Sequence, residues 1–230
     1  MISLFQTFPF WNTLTKLQQE ELLDCTVIRQ YEAGEYLENN PGLYMVNDGG
    51  LVAFTHHESG RRRVVFSANW TECILLTPTF LNDTGTKFLE LRARENSEIC
   101  YIPYVAWRRI QEQFPDVWKF SGELLSRQMG ALMFGVYARM EKNISKRLAL
   151  FLLQFYERGR ERNGTTIHIS HEELTEQTGV SREAVTRNLG ILKENGLIET
   201  GRGKIRIIDT EKLAQFAGGL TEEEQEDMKC

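Results

Sequence analysis

The sequence predicts an α+β chain: an amino-terminal double-stranded β-helix or jelly-roll, then a long helix, then a carboxy-terminal winged helix-turn-helix. Three observations predict it. Between about residues 27 and 103, short β-prone runs are broken by Gly and Asn/Asp turn signals. From Val117 to about Met140 an apolar helical pattern runs without a proline. Residues 165–209 then carry a capped helix, a glycine turn, a second helix and a basic glycine-centred hairpin. A length of 230 residues suggests two domains, and 41% hydrophobic with 26% charged residues is ordinary globular composition. The expected divisions are a sensor domain over 1–112, a dimerisation helix over 113–143, a DNA-binding domain over 144–217 and a disordered acidic tail over 218–230.

In chain order, residues 12–24 place Leu14, Leu17, Leu22 and Leu23 at helical spacing, with Thr15 and Gln18 as a capping box. The runs VIRQY, YMV, LVAF, RVVF, KFLELRA and EICYI then read as strands, separated by turns at AGE, NDGG, ESG and NDTG. HHESGRRR, with His56 and His57, fits a solvated hairpin turn around Gly60, and Arg61-Arg62-Arg63 a solvated strand end. A short helix is expected over 104–113, and Pro115 with Asp116 marks the next helix start. About 24 residues of that helix would span about 36 Å. Leu125, Met129, Leu132, Val136 and Met140 recur along it at spacings of 4, 3, 4 and 4, beside a second row of Leu124, Met133 and Tyr137. One apolar face suffices for a surface helix, so the second predicts pairing with another copy of the chain, the alternative being a helix buried on two sides within one chain. Another helix is expected from Ser145 to Arg160.

Charge separates the halves. Residues 1–143 hold 14 Lys+Arg against 17 Asp+Glu, residues 144–217 hold 12 against 10, and the last thirteen hold one against five. The one positive segment carries the helix-turn-helix pattern. Ser170 and Glu173 form a capping box, Gly179 supplies the turn, and the second helix starts near Ser181. Val185, Leu189 and Leu192 make its buried stripe, which leaves Arg182, Glu183, Thr186 and Arg187 on the opposite face of the first two turns. A recognition helix meets base edges there: Arg suits the O6/N7 edge of guanine, and Glu accepts from the amino group of cytosine. Ser170 and Ser181, at helix starts, and Arg202 and Lys204, on the hairpin with Arg206, are the expected phosphate contacts.

These residues carry a resemblance. SREAVTRNLGILKENGLI with the basic wing, and KRLALFLL before it, resemble the Crp–Fnr family of bacterial transcription regulators. AGEYL and LYMVNDGG are similar to the opening strands and glycine turn of that family's cyclic-nucleotide-binding-like β-roll. The resemblance covers roughly residues 27–213. It implies a homodimer on a palindromic site, with recognition helices about 34 Å apart. Its cyclic-AMP receptor branch has Arg, Glu and Arg at the positions of Arg182, Glu183 and Arg187, which implies half-sites like TGTGA. Its Fnr branch has Glu, Ser and Arg in the recognition helix and lacks the first arginine. Thr186 stands where the cyclic-AMP branch has glycine, so the base read there is open. RNA polymerase is a further partner that the resemblance implies.

The family's ligand positions point away from cyclic AMP. Aligned without gaps, its Gly-Glu pair falls on Leu75-Leu76, its Arg-Ser pair on Lys87-Phe88, and its Thr-Ser pair on Leu132-Met133. A phosphodiester against these apolar groups would lose more solvation than one lysine returns. Three alternatives stay open: a pocket filled by its own side chains, an apolar effector, or haem or redox sensing through Cys73, His56 or His57. An iron–sulfur cluster is not expected, because only Cys25 of Cys25, Cys73, Cys100 and Cys230 lies near the amino terminus. Nor is a metal, since His168 and His171 straddle a strand-to-helix join. No cofactor is required. No Ser-His-Asp set or phosphate loop supports an enzyme with a DNA-binding appendage. With no ~18-residue apolar run and no secretory leader pattern, a cytoplasmic protein with no membrane partner is expected.

Overall fold

The computed structural model describes residues 2–56, 62–83 and 89–218. The chain divides into two compact units, Met1–Met133 and Phe134–Cys230. The expected tail from 219 onward, His57, Arg61, Lys87 and Phe88 lie outside the described residues.

The first unit opens with a short helix, α1 (Ile2–Phe5), a 3-10 turn (Trp11–Thr13) and α2 (Lys16–Asp24). The Thr15–Gln18 capping box forms as expected. The strands are β1 (Val27–Tyr31), β2 (Tyr36–Leu37), β3 (Gly42–Asp48), β4 (Gly50–His56), β5 (Arg62–Asn69), β6 (Cys73–Leu76), β7 (Leu89–Ala93) and β8 (Ser97–Pro103). A short helix, α3 (Pro78–Asp83), follows β6. Among the described residues the strands form two antiparallel four-stranded sheets, ordered β1-β8-β3-β6 and β2-β7-β4-β5. Apart from the β4–β5 hairpin, successive strands alternate between the sheets, as in a jelly-roll.

Both faces of the first sheet are covered. Tyr44, Val46, Ile74, Leu76 and Ile99 face the sandwich interior with Leu51, Phe66 and Leu91 of the second sheet. Leu43, Met45, Leu75, Cys100 and Ile102 face a helical layer instead. Double burial explains why the sequence pattern does not predict β6. CILL lacks the alternation that marks a half-exposed strand, because both of its faces are apolar. The helical layer is α4 (Tyr104–Gln113), the start of α5 (Pro115–Met140) and the amino-terminal segment. Phe5, Phe8, Phe10 and Trp11 close over Trp107, Val117 and Phe120, with ring centroids of Phe10 and Phe120 5.0 Å apart. The indole of Trp107 donates to Ser121 Oγ at 3.1 Å.

The long helix begins at Pro115, where Pro115 and Asp116 mark its expected start. Val117, Phe120 and Leu124 are buried, and Leu132 packs on the sandwich interior. Leu125, Met129, Met133, Val136, Tyr137 and Met140 are exposed, with Met129 at 64% and Met140 at 74%. Trp118, 67% exposed, extends this surface by two turns toward the amino end.

The second unit contains α6 (Ile144–Asn163), β9 (Thr166–His168), α7 (His171–Thr178), α8 (Arg182–Glu194), β10 (Ile198–Gly201), β11 (Lys204–Ile207) and α9 (Thr210–Ala217). Leu148, Leu152, Leu174, Val185, Leu189, Leu192, Ile198, Ile205 and Leu213 form its core. Helix α9, capped by Asp209, is not expected from the sequence, since its eight residues offer only Leu213, Phe216 and the alanines as an apolar face.

Candidate nucleic-acid interface

Each element of the interface has a local cause. Ser170 accepts from the N–H of Glu173 while the Glu173 carboxylate accepts from the N–H of Ser170, so two of the amide donors at the start of α7 are satisfied reciprocally. Helix α7 ends at Gly179, whose φ of 76° lies in the left-handed region that favours glycine. The hydroxyl of Ser181 then caps α8 by accepting from the N–H of Ala184.

Helix α8 is sided as expected. Val185, Leu189 and Leu192 are buried, while Arg182, Glu183, Thr186 and Arg187 are all exposed. Glu183 is held below its ordinary pKa, first by its own backbone N–H at the helix start, then by the Ser181 hydroxyl, with Arg182 adding a weaker pull. It therefore stays an acceptor carboxylate, the form that meets a cytosine amino group. Thr186 has a neighbour that sequence reading did not supply: its Oγ1 lies 3.1 Å from Nδ1 of the half-buried His171, the first residue of α7.

The recognition helix is seated by a buried polar pair. Ser145 Oγ, at the start of α6, donates to Asn188 Oδ1 at 2.7 Å, and Asn188 Nδ2 donates to the carbonyl of Ala184 at 2.8 Å. The only trace of this pair in the sequence is an asparagine interrupting the apolar stripe of α8.

The wing is the antiparallel β10–β11 hairpin, with Gly201 opposite Lys204 and Gly203 at φ 67°. Strand β9 extends it on the other side of β11. Arg202 and Lys204 are exposed, and neither has an ion pair among the described residues. Arg206 is tied to Glu199 at 2.7 Å and is less free to meet a phosphate.

Of the six positions aligned with a family ligand site, the four described ones do not converge. Leu75 and Leu76, as neighbours in one strand, point to opposite faces. Leu76 enters the sandwich interior, where Leu132 packs too, while Leu75 faces the helical layer. Met133 is exposed, and Lys87 and Phe88 lie outside the described residues. Burial pushes the Cys73 thiol up strongly and the Cys100 thiol up to about 11. Among the described residues, no group of three or more His, Cys, Asp or Glu side chains is placed to hold a metal. None of their helices is long and apolar enough to cross a membrane.

A capped helix, a left-handed glycine turn, a second helix with a polar leading face and a basic wing define a winged helix-turn-helix DNA-binding protein. Residues 146–216 match the family model of the Crp-like helix-turn-helix domain. With the jelly-roll and long helix ahead of that domain, the chain has the architecture of a Crp–Fnr-type transcription regulator.

Its relatives are regulators rather than enzymes. It is 25% identical over 202 residues to the transcriptional activator protein anr of Pseudomonas aeruginosa, covering 84% of this chain and 82% of that one. It is 26% identical over 178 residues to the cyclic AMP receptor protein of Thermus thermophilus, covering 77% and 80%. In fold it is similar to CooA of Carboxydothermus hydrogenoformans, solved as a mutant, with a TM-score of 0.74 at 17% identity over 91% of this chain and 95% of that one.

Proposed function

We propose that this protein is a homodimeric regulator that reads a palindromic DNA site with TGTGA-like arms and works in the cytoplasm with RNA polymerase as its partner. The observation that carries the reading is the exposed set Arg182, Glu183, Thr186 and Arg187, opposite the buried stripe of α8. Arg182 and Arg187 supply bidentate donors for guanine, and Glu183 supplies the acceptor for cytosine. Ser170, Ser181, Arg202 and Lys204 set register on the phosphates without reading sequence. The exposed row of Leu125, Met129, Val136 and Met140, joined by Met133 and Tyr137, supports pairing through the long helix, since so much contiguous apolar surface marks an interaction face.

No cyclic nucleotide controls it on this reading. Leu75 and Leu76 are buried apolar side chains where the family holds a phosphate, so an effector, if used, is apolar. Cys100 is buried and Cys73 half-buried, and desolvation holds both thiols protonated, which weighs against thiol sensing, since that needs an accessible thiolate.

The test is selection of sites from random duplex DNA by the purified protein with no effector added. A palindrome with TGTGA-like arms is expected. Arg182→Ala with Arg187→Ala should abolish that selectivity and leave the dimer intact; a double variant that still selects the site overturns the recognition-helix assignment.

A further inference from the structure

We propose that His171 is a specificity-determining residue, which sets the hydrogen-bonding polarity of the Thr186 hydroxyl and hence the base read there. The inference rests on the recognition-helix reading above and deepens it.

Thr186 is exposed on the base-reading face of α8, and its hydroxyl can either donate or accept. Left alone, such a hydroxyl rotates to suit either kind of base edge and discriminates little. Here its oxygen lies 3.1 Å from His171 Nδ1, so its free direction is decided by the imidazole. Which imidazole nitrogen carries the proton is in turn set by the bond made at the other one.

His171 follows the Ser170 cap at the start of α7, where the amides that the capping box leaves over can meet a DNA phosphate. In the tautomer whose Nε2–H donates to a phosphate oxygen, Nδ1 of His171 is the acceptor. The Thr186 hydroxyl donates its proton to Nδ1, and its lone pairs are left to accept from a base. Its partner in the major groove is then an exocyclic amino group, adenine N6 or cytosine N4, and not guanine O6 or thymine O4. The contact also holds the threonine rotamer before DNA arrives, so less side-chain entropy is lost on binding.

The experiment measures base preference at every position of the selected site for the wild type, His171→Ala, His171→Asn, Thr186→Val and the His171→Ala/Thr186→Val double variant. The wild type should prefer an amino-bearing base at one pair by about tenfold, which is about 1.4 kcal/mol. Thr186→Val should erase that preference, and His171→Ala should erase most of it at the same pair only. The double variant should lose no more than Thr186→Val. His171→Asn, whose carboxamide oxygen can accept in place of Nδ1, should restore part of it. A His171→Ala profile identical to the wild type, or one weakened equally at all positions, overturns the proposal. Failure of the wild type to select any site removes the recognition-helix reading, and this one with it.

Discussion

Gln128 of the long helix takes both main-chain hydrogen-bonding groups of Leu75: its Oε1 accepts from the Leu75 N–H at 2.9 Å, and its Nε2 donates to the Leu75 carbonyl at 3.3 Å. Leu75 lies on β6, the edge strand of its sheet, so among the described residues these groups have no neighbouring strand on that side. The carboxamide stands in for one, and fastens the helix to the jelly-roll at that point.

Gln128→Ala should leave both groups without a protein partner, at a cost of about 1–3 kcal/mol. Gln128→Glu keeps an acceptor for the N–H and loses the donor, and should cost less. Chemical denaturation monitored by the fluorescence of Trp107, buried in the same unit, checks the order of the two variants.

The Ser145–Asn188 pair should show the asymmetry of buried polar groups. Asn188→Ala strands the Ser145 hydroxyl in the core and should cost about 1–3 kcal/mol, whereas Ser145→Ala with Asn188→Leu should come closer to neutral. Thermal unfolding of the two variants separates the outcomes.

The wing should act through salt. Replacing Arg202 and Lys204 by Ala should weaken binding to specific and random duplexes alike. It should also flatten the dependence of log affinity on log salt by about 0.9 for each phosphate left unneutralised. A change in base preference without a change in slope would place these side chains on base edges instead.

The jelly-roll unit should weaken in alkali. Burial raises Cys100 from an ordinary 9.0 to about 11, and raises Cys73, Tyr44 and Tyr101 too. The folded state keeps protons that the unfolded chain releases, so stability falls as pH rises. For Cys100 the contribution is full below pH 9.0 and is lost on approaching pH about 11. Urea midpoints measured at about pH 7, 9 and 10.5 should decline across the last interval. Thiol reagents at about pH 7.5 should label Cys73 and Cys100 only after unfolding.

Charging the exposed helix row should disrupt pairing. Met129→Glu with Tyr137→Glu should convert a dimer in sedimentation to a monomer with an unchanged circular dichroism spectrum, since both residues are already exposed at 64% and 61%.

Much of this was legible in the chain because the signals were local. A serine three residues before a glutamate makes a capping box wherever it lies, as at Ser170 and Glu173. A helix with polar residues opposite a Val185–Leu189–Leu192 stripe turns those residues outward, and a glycine between two helices permits the turn. These features depend on covalent geometry and side-chain period, so the sequence alone determined the winged helix-turn-helix, the expected contact face and the alternation of strands and turns. What only the tertiary structure decided involves partners distant in sequence. Leu75 and Leu76 are adjacent and equally apolar, and only the packing of a helical layer behind one sheet sends them into different cores. Leu132 and Met133 divide in the same way between a buried face and an exposed one. His171 and Thr186, 15 residues apart, meet only because Gly179 folds one helix across the other, bringing together two side chains that no periodicity relates.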